Sequence, residues 1–166
     1  IAIGSQALAD TSTGIGCSPI AIGYSANALT GGSVAIGRQA NAGKTNNNGW
    51  YGKAIAIGQQ SKANNLNAIA IGTETNNGNN DAGDSSIAIG GTAKATNKRS
   101  VAIGGAKQLS IGSGGVTILN EQFTKAEYSN SVAIGAGAQT TSSNQIVLGT
   151  SDHSVCIPGN LTVNGQ

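Results

Sequence analysis

The apolar positions of this chain fall into one short phrase that returns again and again. A bulky aliphatic residue, an alanine, a second bulky aliphatic and a glycine occupy 1–4, 20–23, 34–37, 55–58, 69–72, 87–90, 101–104 and 132–135, and Ile146-Val147-Leu148-Gly149 is a looser copy. Alternate residues of an extended strand share a face. Each phrase therefore predicts a short strand with two large side chains on one side and alanine on the other. The glycine that follows marks a turn that other residues make poorly. A second, paler segment comes next, as in Ser25-Ala26-Asn27-Ala28, Gln39-Ala40-Asn41-Ala42 and Thr92-Ala93-Lys94-Ala95, with small residues three and five places after the motif glycine. Asn and Gly crowd the remaining corners, as left-handed backbone requires.

Successive motif glycines lie 19, 14, 21, 14, 18, 14, 31 and 14 residues apart. The unit is thus 14 residues, and every second turn carries 5, 7, 4 or 17 more. Insertions that leave the register intact must leave the structure as loops from one corner of a coil. The expectation is an all-β, parallel solenoid over residues 1–150, with insertions at 10–19, 43–52, 76–85 and 107–130, and a terminal coil or exit at 151–166. Stacked in register, like lies on like, with rungs about 4.8 Å apart.

Two arrangements satisfy this pattern. Either the alanines fill a thin interior and the aliphatic column lies outside, or the reverse. Small residues on both strands favour the first. The column then comprises Ile22, Val34, Ile36, Ile55, Ile57, Ile69, Ile71, Ile87, Ile89, Val101, Ile103, Val132 and Ile134. An exposed stripe of that length is an aggregation hazard unless another chain covers it, and symmetric self-association is the economical cover.

Composition agrees with a thin core. Of 166 residues 26 are Gly, aromatics make up 3% and charged residues 10%, so a globular core built on large side chains is excluded. A net charge of +2, from nine basic and seven acidic residues spread along the chain, is no footprint for nucleic acid. No apolar run approaches a membrane span. The chain opens in mid-motif and reads as a segment of something longer.

The phrases SVAIGRQANA, SIAIGGTAKA and SVAIGAGAQT resemble the head repeats of YadA-like trimeric autotransporter adhesins. That resemblance implies a left-handed parallel β-roll, or β-helix, assembled as a homotrimer. It also implies a place on the cell surface, anchored to a bacterial outer membrane, and attachment to matrix proteins, cell-surface proteins or glycans. The basic neck expected after such a head is absent. The ending NQIVLGTSDHSVCIPGNLTVNGQ is instead similar to the exits of YadA-like regions in viral fibres, which leaves a structural or receptor-binding fibre segment on a virion as the alternative.

Candidate chemistry is sparse. His153 is the single histidine, and its neighbours Asp152 and Ser154 point in different directions on a strand or turn, so they form no catalytic triad. Cys17 and Cys156 fall in the first and last coils, roughly 40 Å apart at about 4.8 Å per rung, too far for a disulfide. Cys156, between Val155 and Ile157, is expected to be buried. Asp81 and Asp84 lie in an amide-rich loop without a recognised calcium spacing. No paired carboxylates face one groove, so the chain is not expected to be an enzyme, and no cofactor or metal is implied. Trp50 and Tyr51, in an insertion the repeat does not need, are the residue types favoured at binding hot spots. Phe123 and Tyr128 belong to the longest insertion, where they are expected to pack that excursion down or to meet a ligand. Lys98 and Arg99 form a basic corner beneath it.

Overall fold

The structure, a computed structural model, describes residues 1–10, 18–43, 53–77, 85–105 and 124–163. Its strands are short and all parallel. A nine-stranded sheet, the long sheet, runs in the order β1 (Ala2–Ile3), β3 (Ile20–Ile22), β5 (Val34–Ile36), β7 (Ile55–Ile57), β9 (Ile69–Ile71), β11 (Ile87–Ile89), β12 (Val101–Ile103), β13 (Val132–Ile134) and β14 (Ile146–Leu148). A five-stranded sheet, the short sheet, is formed by β2 (Leu8–Ala9), β4 (Asn27–Ala28), β6 (Asn41–Ala42), β8 (Lys62–Ala63) and β10 (Asn76–Asn77). Isolated bridges through Lys94, Lys125 and Gln139 carry the same pattern into later coils. The architecture is a parallel β-solenoid.

Register is strict, with like on like. Ala35 pairs with Ala21 and Ala56, and Ile36 with Ile22 and Ile57. Backbone bonds also link the corners of successive coils, as from Gln39 N to Tyr24 O at 2.8 Å and from Gln60 N to Arg38 O at 2.9 Å.

The alanine arrangement is the one adopted. Ala21, Ala35, Ala56, Ala70, Ala88, Ala102 and Ala133, the centres of seven long-sheet strands, are fully buried, as are Ala28, Ala42 and Ala63 of the short sheet. The two sheets lie too close to admit larger side chains between them. Serine and threonine fill the remaining inward places and donate to backbone carbonyls. Ser61 Oγ reaches Gly58 O at 2.9 Å, Thr75 Oγ1 reaches Gly72 O at 3.0 Å, and Ser100 Oγ reaches Asn97 O at 2.7 Å. These bonds are what allow hydroxyls in so dry a space.

The motif glycines are required by contact as well as by conformation. At Gly58, with φ +125°, an added Cβ would stand 2.4 Å from the carbonyl oxygen of Gly72 in the next coil. After Gly4, Gly23, Gly37, Gly58, Gly90 and Gly135 comes a turn closed by the glycine's own carbonyl, as from Ala40 N to Gly37 O at 3.2 Å. The third residue of that turn is left-handed, and it is Gln6, Ser25, Gln39, Gln60, Glu74 or Thr92, with φ between 50° and 61°. The asparagines and glycines expected at left-handed corners appear in a second turn instead, at Gly32, Asn67, Asn130 and Asn144, joined there by Arg99.

Two expectations change. Residues 124–130, placed by spacing inside the longest insertion, run in the register of residues 93–99, because Lys125 bridges both Lys94 and Gln139. Cys156 is exposed rather than buried. The segment 151–163 leaves the stack, so Val155 and Ile157 on either side of it are also exposed, at 56% and 46%.

Candidate functional site

A coil whose interior holds only small residues has two broad outer faces on which to act. On the long sheet, the residues flanking each central alanine project outward. Ile22, Val34, Ile36, Ile55, Ile57, Ile69, Ile71, Ile87, Ile89, Val101 and Val132 are half-buried, shielded by their neighbours above and below. Ile103 and Ile134 are 38% and 40% exposed. The result is a continuous aliphatic band along the stack. Its exposure follows from geometry, since a strand can turn one face inward and the inner space is filled by small residues.

On the short sheet, the outward place is the fourth residue after the motif glycine. In successive coils it is Leu8, Asn27, Asn41, Lys62, Lys94, Lys125 and Gln139. Lys62 pairs with Asn41 on one side and Asn76 on the other, and Lys125 with Lys94 and Gln139. Beside this column run the side chains of the left-handed turn residues. Gln60 Nε2 donates to Gln39 Oε1 at 3.2 Å, and Ser25 Oγ to Gln6 Oε1 at 2.9 Å. Gln39, Gln60, Lys62, Glu74, Thr75 and Lys94 together line a shallow groove across several coils. Within the column, Asn41 Oδ1 is a buried acceptor without a hydrogen-bond partner.

Of the ligand candidates read from sequence, Lys98, Arg99 and Tyr128 gather on one corner of two adjacent coils. Lys98 and Arg99 are exposed, and Lys98 O accepts from Asn130 N of the following coil at 2.9 Å. Asn97 Nδ2 donates to Glu127 O, which sets Tyr128 next to this corner. Tyr128 is 42% exposed and so does not pack down as expected. Trp50, Tyr51 and Phe123, like Asp81, Asp84 and Cys17, lie outside the described residues. His153 sits in the turn after β14, where its Nδ1 accepts from Thr150 N at 3.0 Å, a local structural bond. Among the described residues no three His, Cys, Asp or Glu side chains converge as a metal site, and no helix is long and apolar enough to cross a membrane.

The lysine column went unread in the sequence because its members are separated by 32 and 31 residues. Counting four places from each motif glycine finds Lys62 and Lys94. Lys125 emerges once the insertion is known to precede residue 124.

Comparison with known proteins follows the same units. The YadA head domain repeat, two copies to a match, fits residues 20–42, 53–75, 82–106 and 128–151, more than half of the chain. No curated protein matches it. Each matched segment holds two of the Ile/Val-Ala-Ile-Gly strands, or their looser copy at β14, and the break between one match and the next contains an insertion or part of one. The repeat that builds both faces is therefore the family's own, and the chain belongs to the YadA head domain repeat family.

Proposed function

We propose that this chain is the adhesive head of a trimeric, fibrous surface protein that attaches to host or other cell surfaces. The YadA head family is a family of adhesins and not of enzymes, and it implies a surface-exposed setting. In the proposed assembly three copies meet through the aliphatic bands of their long sheets. The short-sheet faces and the insertions remain available to ligands. The observation that carries this reading is the band itself. A chain whose interior is already filled by alanine still presents an unbroken outer column of isoleucine and valine, and covering such a column is what the hydrophobic effect favours. Three copies also multiply each weak contact into avidity. Trp50, Tyr51 and Phe123 in the insertions, with Lys98, Arg99 and Tyr128 at the corner, are the proposed ligand contacts of the irregular parts.

The test has two stages. Sedimentation equilibrium should return three times the chain mass of 16.3 kDa, and a monomer across micromolar concentrations would overturn the assembly. Replacing 44–52 and 106–123 with minimal turns should then leave the number of chains per assembly unchanged while weakening attachment to cells or immobilised matrix protein. Unchanged attachment would move recognition to the regular faces of the coils.

A further inference from the structure

Both tyrosines among the described residues stand outside the core, Tyr24 at 50% and Tyr128 at 42% exposure, because the interior holds only small side chains. The chain has two arginines, Arg38 and Arg99, and both are exposed. Each lies one coil away from one of these tyrosines. Arg99 and Tyr128 share a corner of mixed charge with Lys98 and Glu127. Tyr24 and Arg38 share a simpler one. Each directly follows its motif glycine, and the bond from Gln39 N to Tyr24 O at 2.8 Å holds their two turns in register. Their backbones are thus one rung apart, about 4.8 Å. The repeat requires neither residue, since Ser5, Gln59, Thr73, Gly91 and Ala136 hold the same place in other coils. Among the described residues neither side chain has a hydrogen bond, ion pair or ring contact, so the two do not staple one coil to the next. Beside them Gln60 Nε2 donates to Gln39 Oε1 at 3.2 Å, which leaves Gln39 Nε2 to donate elsewhere. The same two glutamines line the shallow groove, so the corner gives onto a concave surface. In this row of turns the carboxylate next to Arg38 among the described residues is Glu74, two coils on and roughly 10 Å along the axis.

We propose that the Tyr24–Arg38 corner binds a single carboxylate-bearing sugar residue at the end of a glycan. A guanidinium is a planar fork that matches a carboxylate with two parallel bonds. No acidic residue in its own turn or in the turns of the adjacent coils competes for it. The tyrosine ring offers a flat apolar surface to the C–H face of a sugar ring, and a hydroxyl at its edge. Gln39 Nε2 is a donor for a sugar hydroxyl. One rung separates ring from fork, a reach that one sugar ring covers. An acidic peptide fits less well, because a flexible carboxylate side chain engages the fork and leaves the ring uncovered. The inference rests on the proposed surface function for its setting, where three copies of the corner reinforce a weak contact, but the site is complete within one chain.

The test uses the full chain in its solution assembly and four probes: sialyllactose, a disaccharide ending in glucuronic acid, lactose and triglutamate. Binding is read by ligand-observed NMR titration. At least one of the acidic sugars should bind, about tenfold or more tightly than lactose or triglutamate. Tyr24→Ser and Arg38→Gln introduce residue types that the same place already carries at Ser5 and Gln59, so both variants should keep the fold. Each should lose about fivefold or more in affinity for that acidic sugar. Arg38→Lys keeps the charge but not the fork, and should lose about threefold. Lys53→Gln, beside Gly32 at the other turn, removes an equal charge and should change nothing. Binding of neither acidic sugar, unaltered affinity in Tyr24→Ser or Arg38→Gln, or equal binding of lactose or triglutamate would each overturn the proposal. A monomeric mass would instead overturn the trimer and leave the binding comparison standing.

Discussion

The two sheets of each coil enclose the same alanines yet turn opposite chemistry outward. The long sheet offers two large aliphatic side chains per rung, in every complete coil. The short sheet offers one, and that one varies from leucine to asparagine, lysine and glutamine. Constancy on one side and variation on the other is what a fixed partner and a variable partner would each demand. A copy of the same chain presents the same surface at every rung, so the face it covers must repeat. A ligand chosen for recognition sets no such period. The interior cannot distinguish the faces, since alanine, serine and threonine line both; their difference lies wholly in the outward residues.

The largest expected effect removes both faces together. In Gly58→Ala the new methyl would meet Gly72 O at 2.4 Å while φ stays near +125°. Strain of this kind costs about 1–3 kcal/mol before the clash is counted. A loss on the order of 4 kcal/mol is therefore expected, seen as a collapse of the denaturant midpoint. A loss under about 1 kcal/mol would mean that the coils do not stack glycine on glycine.

A smaller effect separates the faces. Ile57→Asp places a carboxylate in the aliphatic band, and Lys62→Asp places one on the short sheet five residues later in the same coil. Both sites are outward, so both chains should keep their far-UV dichroism. Ile57→Asp should weaken assembly by at least a hundredfold, about 2.7 kcal/mol, because three charges per assembly would enter an apolar contact. Lys62→Asp should leave the mass unchanged. Equal effects on sedimentation would show that assembly does not use the long sheet preferentially.

How much of this was legible beforehand depends on whether a residue's role recurs at a fixed interval. The Val34-Ala35-Ile36-Gly37 strand and its copies announced the parallel sheet, because periodicity is a direct image of stacking. The alanine interior followed from side-chain volume. Tyr128 and the end of the longest insertion were misplaced because spacing between motif glycines gives the length of an insertion and not where in the coil it begins. Cys156 is exposed although it stands between two apolar residues, because burial needs a coil stacked against them. The left-handed places at Gln39, Gln60 and Glu74 carry no glycine or asparagine, so composition gave no sign of them.

Those left-handed places supply the smallest and finest comparison, between two columns of positive φ. One column admits only glycine, since a Cβ would strike the next coil. The other, two residues later, holds glutamine, serine, glutamate and threonine at φ near 55° and leaves their Cβ atoms room. A non-glycine residue in this region costs about 1 kcal/mol, and glycine there loses a similar, slightly smaller amount through the freedom of its unfolded chain. Gln60→Gly should therefore raise stability by no more than about 0.5 kcal/mol, a shift of about 2 °C or less in the thermal midpoint. It also removes the Gln60–Gln39 amide bond, which is exposed and worth little to folding. A fall in stability above about 1 kcal/mol would show that the amide ladder holds the coils together.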